Sequence, residues 1–203
     1  METMLTTNIV LIVLFYLLGS LPFALILTKL FGYGDIRNIG SGNVGATNVL
    51  RTGNKFLASS VLCLDILKGY IPFVVLTVYF SEINFLNKII ISHFAILGHI
   101  FPIWLKFKGG KGVATYIGFL LGLNLYIGLT FLITWLLIAL ISKYSSLSSL
   151  IASLVTSIYY IFINSSFSIG FFLFYLFLII LYKHLENIKR MLNKTENKIK
   201  FSK

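Results

Sequence analysis

The chain has 203 residues, of which 58% are hydrophobic and 11% charged, and its mean hydropathy is +0.93. A soluble domain of this composition would carry far more apolar surface than it could hide, so the solvent for most of the chain is lipid. The formal charge of +11 does not point to nucleic acid, because the basic residues fall in gaps between apolar runs and no stretch is long enough to make a solvated basic domain.

Anionic headgroups and phosphorylated small molecules are the better partners for such charge. The expected fold class is all-α, a polytopic membrane helix bundle. A crossing helix needs roughly 17 to 25 mostly apolar residues at about 1.5 Å rise each. Segments 5–30, 56–80, 85–105, 147–163 and 169–182 meet that requirement. The first is expected to stay as a membrane anchor, since its leader carries Glu2, no basic residue and no small-residue cleavage site. Cys63 lies in an apolar run and has no second cysteine to pair with.

Segment 113–141 is long for one helix and short for two, and charge placement decides between them. Two short spans hinged at 122–124 give seven crossings. Arg37, Arg51, Lys55, Lys106, Lys108, Lys111, Lys143 and the C-terminal basic cluster then share one side, as the excess of Lys and Arg in cytoplasmic loops requires. The expected topology is therefore seven helices, N-terminus outside and C-terminus cytoplasmic, with Lys203 as the position that a labelling experiment would test.

Three polar loops then face the cytoplasm. The first runs Gly40-Ser41-Gly42-Asn43-Val44-Gly45-Ala46-Thr47-Asn48 and is followed by Arg51. Its glycines let backbone N–H groups approach a ligand, its Ser, Asn and Thr add neutral hydrogen bonds, and Arg51 adds a planar cationic fork, a set that suits phosphate. An ordinary flexible turn is the competing reading. The second loop, Lys106-Phe107-Lys108-Gly109-Gly110-Lys111-Gly112, leads into an apolar helix whose unpaired N–H groups, with Lys111, form an anion cradle. It is not a nucleotide P-loop, because Gly112 stands where Ser or Thr is needed and no strand precedes it. Its competing reading is a basic juxtamembrane loop gripping acidic lipid. The third region holds His184, Asn187, Lys189 and Arg190. His184 and Asn187 are three apart and share a helix face, where a histidine can position or accept a proton.

Inside the membrane, Asp65 and Lys68 are also three apart. A lone charge at bilayer depth costs on the order of 2.5 to 3.5 kcal/mol, so the two are expected to pair facing the bundle. His93 and His99 are six apart with no Cys or carboxylate cluster beside them, so no metal is expected.

These residues resemble the three signature motifs of the bacterial acyl-phosphate:glycerol-3-phosphate acyltransferases, in order and spacing over nearly the whole chain. The first motif matches through Asp35-Ile36-Arg37, the Ser41 to Asn48 run and Arg51, and a further pattern through Asp65, Lys68 and Gly69. The second matches through Gly98-His99, Phe101-Pro102 and Phe107 to Thr115, and the third through His184, Asn187, Ile188, Arg190 and Glu196. Ser146 to Ser149 fall within the resemblance. Met191 replaces the usual Leu and Lys194 the usual Gly, which leaves the shape of the terminal turn open.

The resemblance implies one integral membrane acyltransferase domain over 1–203, without a cofactor. Its activity is transfer of a fatty acyl group from acyl phosphate to the sn-1 hydroxyl of glycerol 3-phosphate, giving lysophosphatidic acid and phosphate. The implied partners are both substrates, membrane lipids and an acyl-phosphate-producing enzyme; nucleic acid is not among them. Ser41, Arg51, Lys111, His184 and Asn187 are implied as catalytic. Gly40, Gly42, Asn43, Gly45, Thr47, Asn48, Gly109, Gly110, Gly112 and Ser146 would bind phosphate or substrate. Asp65, Lys68 and Glu196 would support them. Either His184 or a substrate phosphate oxygen is the base. The main alternative is a transporter of phosphate or sugar phosphate, against which stand motifs confined to one face and the lack of an inverted repeat. A noncatalytic lipid-binding or assembly protein is the third reading.

Overall fold

The computed structural model describes residues 2–162 and 166–199, so the predicted span end at Ile163 and the labelling position Lys203 lie outside the described residues. The described chain is helical, and its contacts divide it into two compact units, one ending at Leu123 and the other beginning at Asn124.

The first unit opens with α1 (Glu2–Ser20) and α2 (Phe23–Leu30), which meet at a 41° bend. Pro22 causes the break, since it has no N–H to donate into a continuous helix. A short helix α3 (Ala46–Val49) follows the first loop and leads to α4 (Lys55–Tyr79). Asn54 starts α4 by accepting a hydrogen bond from the Leu57 N–H at 2.9 Å. Next come α5 (Phe85–Ser92), α6 (Phe94–Ile100) and, after the second loop, α7 (Val113–Leu123).

Glycines set how closely these helices approach. A Cβ on Gly69 of α4 would collide with the Thr115 carbonyl of α7, and one on Gly118 of α7 with the Ile66 carbonyl of α4. Gly19 of α1 and Gly98 of α6 make the same reciprocal contact, against Ala95 and Tyr16. Backbone-to-backbone packing of this kind is how membrane helices gain dispersion energy without a hydrophobic drive.

The second unit consists of α8 (Leu125–Ser142), α9 (Ser145–Phe162), α10 (Phe167–Lys183) and α11 (Leu185–Leu192). The break expected at 122–124 falls at Asn124, whose side chain accepts from the Tyr126 N–H at 2.8 Å and caps α8. The buried face of α9 is lined with hydroxyls. Ser149, Ser153 and Ser157 each donate to the carbonyl four residues back, so this polar face needs no water.

Among the described residues, four helical segments are long and apolar enough to cross a membrane: Lys55–Tyr79, Phe85–Leu105, Leu125–Ser142 and Ser145–Phe162. Counting the bent pairs α1/α2 and α10/α11 as one span each brings the number to six. The remaining predicted span, α7, has 11 residues and so rises only about 16 Å.

Candidate active site

The first loop is wound around Asn48. Its Nδ2 donates to the carbonyls of Ile39 at 2.8 Å and Ile36 at 3.0 Å, while its Oδ1 accepts from the Ser41 N–H at 3.0 Å and the Ser41 hydroxyl at 3.3 Å. Both amide protons and the amide oxygen are thus used inside the protein, and Asn48 is 1% exposed. It shapes the loop from within, where the sequence suggested a ligand contact. The N–H groups of Ser41 and Gly42 are likewise engaged, the latter with the Ile39 carbonyl at 3.1 Å. Gly40 has φ +59 and lies under the Arg51 side chain, which a Cβ would strike. Ser41, Thr47 and Arg51 are exposed, whereas Gly42, Asn43 and Gly45 are half-buried. At the loop's entrance Arg37 Nε donates to Asp35 at 3.0 Å. The Arg37 hydrogen bonds hold the Asp35 carboxyl down at about 2.

In the second loop the Gly109 N–H donates to the Ile100 carbonyl and the Gly110 N–H to the His99 carbonyl, both at 3.1 Å. These glycines therefore contribute shape, not free donors. A Cβ on Gly109 would strike the His99 carbonyl, and one on Gly110 the His99 imidazole. Gly112, at φ +82, turns the chain into α7, whose first internal hydrogen bond runs from the Tyr116 N–H to the Gly112 carbonyl at 2.8 Å. Lys111 stands half-buried between them.

Below these loops the pair predicted within α4 is made. Asp65 Oδ1 lies 2.8 Å from Lys68 Nζ, and both residues are 2% exposed. Lys68 also donates to the Leu21 carbonyl at 2.9 Å, beside the break at Pro22, and sits over the Phe23 ring. His99 Nδ1 stands 3.6 Å from the same carboxylate oxygen. Val44 of the first loop lines one small cleft together with Asp65, Lys68 and His99, and Gly110 of the second loop packs against the His99 ring. The sequence placed His99 in the second motif and weighed it as a metal ligand, but did not pair it with Asp65.

In the second unit Glu196 gathers the third motif. Its Oε1 accepts from Asn187 Nδ2 at 2.6 Å and from the Ser146 hydroxyl at 3.0 Å, and its Oε2 from Arg190 Nε at 2.7 Å. Partial burial alone would raise the Glu196 pKa, but the hydrogen bonds from Asn187, Arg190 and Ser146 outweigh it and hold the carboxyl below its ordinary range. An ionised carboxylate only accepts, so it fixes the Asn187 amide with nitrogen toward Glu196 and oxygen the other way. His184 is buried, and its Nδ1 lies 2.8 Å from the Ile180 carbonyl. Because a carbonyl only accepts, Nδ1 carries the proton and the neutral ring keeps its lone pair on Nε2. Lys194, where the resemblance expects Gly, adopts φ +57, a left-handed conformation that glycine takes most readily. The Thr195 and Glu196 N–H groups close the turn onto the Arg190 carbonyl.

Residues 9–194 match the family model for glycerol-3-phosphate acyltransferase. The chain belongs to this family. It is 53% identical to the glycerol-3-phosphate acyltransferase of Pelagibacter ubique (strain HTCC1062), a match covering 91% of this chain and 94% of that one. The enzyme of Bartonella henselae (strain ATCC 49882 / DSM 28221 / CCUG 30454 / Houston 1) is 48% identical, with 91% and 88% covered. The fold agrees with the crystal structure of PlsY (YgiH), an integral membrane glycerol 3-phosphate acyltransferase, in its glycerol 3-phosphate form. The TM-score is 0.88 at 35% identity, and the match covers 96% of each chain. The lysophosphatidic acid form of PlsY gives 0.86 at 34%, over 95% of each chain. The protein is thus an integral, multi-pass membrane enzyme of the acyltransferase family, which decides between the acyl-transfer and transport readings.

Proposed function

We propose that the protein transfers a fatty acyl group from acyl phosphate to the sn-1 hydroxyl of glycerol 3-phosphate, releasing lysophosphatidic acid and inorganic phosphate. The observation that carries this reading is the family match over residues 9–194, joined to likeness with PlsY in both its glycerol 3-phosphate and lysophosphatidic acid forms.

Acyl phosphate is a mixed anhydride and already activated, so no covalent enzyme intermediate is needed. The glycerol hydroxyl oxygen attacks the acyl carbonyl carbon, the bond from that carbon to the phosphate oxygen breaks, and phosphate leaves with the electron pair. The barrier to overcome is largely electrostatic, because two anions must be held together. Ser41 and Arg51, with Gly40, Gly42, Asn43, Gly45 and Thr47 around them, position phosphate and hydroxyl groups. Asn48 holds that loop in shape. Lys111, with Gly112 and the first N–H groups of α7, holds a phosphoryl group. Asn187 and His184 orient glycerol 3-phosphate, with Ser146 and Glu196 fixing the asparagine. The proton of the attacking hydroxyl goes to His184 Nε2 or to a substrate phosphate oxygen; a base of this kind contributes about a hundred- to ten-thousand-fold.

In this proposal the chain is one acyltransferase domain, with α7 a short seventh span, the N-terminus outside and the three loops and the C-terminus at the cytoplasmic face. The preceding reaction is one that produces acyl phosphate, and its enzyme is the expected partner.

Purified protein given labelled glycerol 3-phosphate with palmitoyl phosphate, acyl-CoA or acyl carrier protein in separate reactions tests the proposal. Product from acyl phosphate alone, lost in Lys111→Ala, supports donor and loop together. Product from the thioesters alone would refute the donor assignment. The pH profile of His184→Gln separates the two bases: a surviving neutral-range ionisation in the rate would remove His184 from that role.

A further inference from the structure

We propose that His99, held by Asp65, is a positioning residue for Lys111. The inference rests on the reading of Lys111 given above and assigns the buried charge cluster a function beyond packing.

The chain of contacts is continuous. The Lys68 ammonium is held by both the Leu21 carbonyl and Asp65 Oδ1. That oxygen faces His99 Nδ1 at 3.6 Å. The Nε2 side of the same ring lies so close to Gly110 that no side chain fits between them. Gly110 is the residue before Lys111, and its N–H is tied to the His99 carbonyl at 3.1 Å. His99 thus grips the loop twice, through its backbone and through its ring. Rotation of the imidazole would either collide with Gly110 or open a gap beneath it. With the ring in place the loop has one position, and Lys111 leaves it at one height. Asp65 supplies what an isolated imidazole lacks, a charged partner that selects one ring orientation. The arrangement also accounts for a carboxylate and an ammonium buried together in α4, where an apolar pair of similar volume would pack as well.

The test is a set of double-mutant cycles on the purified full chain, measuring KM and kcat with each substrate varied in turn. Lys111→Ala identifies which substrate the lysine holds. His99→Asn, which keeps an N–H toward Asp65 but withdraws the far side of the ring, raises KM for that same substrate by about tenfold and leaves KM for the other within about twofold. In the double variant His99→Asn/Lys111→Ala the loss is no greater than in Lys111→Ala alone. Gly110→Ala, whose new methyl strikes the ring, recovers at least about fivefold in activity when combined with His99→Asn. Asp65→Asn and His99→Gln run through the same cycle, so a failure of one variant to fold does not end the test.

Additive losses across these cycles, with Lys111→Ala itself impaired, overturn the positioning role while leaving the function of the second loop intact. Wild-type kinetics in Lys111→Ala would overturn that function, and the positioning role with it.

Discussion

The first loop and the C-terminal turn are both polar knots tied around a single side chain, and they are tied with opposite electrostatics. Asn48 organises its loop with a neutral amide that both donates and accepts. Glu196 organises its turn with a carboxylate that only accepts, from an amide, a hydroxyl and a guanidinium. A neutral knot holds wherever the chain is folded. A charged one holds only while the carboxyl is ionised, and in exchange its bonds are stronger, since hydrogen bonds to charged groups contribute roughly 1.5 to 3 kcal/mol against about 1 for neutral ones.

Exchanging the two chemistries is the sharpest way to break this contrast. Asn48→Asp removes both amide N–H donors and aims a carboxylate oxygen at the Ile36 and Ile39 carbonyls. It should destabilise the protein by roughly 3 to 5 kcal/mol and abolish acyl transfer, read by thermal unfolding in detergent and by the transfer assay. Retained activity in that variant would mean that Asn48 is not the loop's anchor. Glu196→Gln is the milder exchange, because one oxygen remains to accept from Asn187 while the pair with Arg190 is lost. About 1 to 3 kcal/mol of stability and about a tenfold fall in rate are expected.

Acid should separate the knots without mutation. The Glu196 pKa is lowered from an ordinary value of 4.5, so its contribution is complete above that value and disappears as the pH falls through the folded-state pKa. Wild-type protein should therefore show an acid-side loss of stability that Glu196→Gln lacks. Identical acid limbs in the two proteins would place the sensitive group elsewhere. Lys194→Gly relieves a left-handed residue within the charged knot and should raise stability by about 1 kcal/mol, measured as a higher melting temperature. Smallest of all is Arg37→Ala: it removes a solvent-exposed guanidinium at the edge of the neutral knot and should leave the melting temperature essentially unchanged.

Much of the fold was legible before any coordinates. Hydropathy located the apolar helices, Asn124 marked the break between α7 and α8, and spacing paired Asp65 with Lys68. The site was legible as motifs but not as roles. Asn48, Gly109 and Gly110 carry the residue types that bind phosphate, yet the asparagine's amide and the two glycines' N–H groups are turned inward. The single histidine in the second motif was invisible as a partner of Asp65 because helix spacing says nothing about residues on different helices. Lys194, which departs from the resembled pattern, takes a left-handed conformation that a lysine adopts at a modest energetic disadvantage, and sequence did not reveal that backbone state.

The sequence by itself determined the solvent, the helices and the polar loops, because hydropathy, proline, glycine and capping residues act over a few neighbouring positions. Only the tertiary structure decided which polar groups are used internally. Ser146 and Glu196 meet across 50 positions, and Lys68 reaches the Leu21 carbonyl across 47. A hydrogen-bonding group's availability to a substrate depends on whether some distant segment has already taken it, and in a medium without water every buried donor and acceptor must find such a partner.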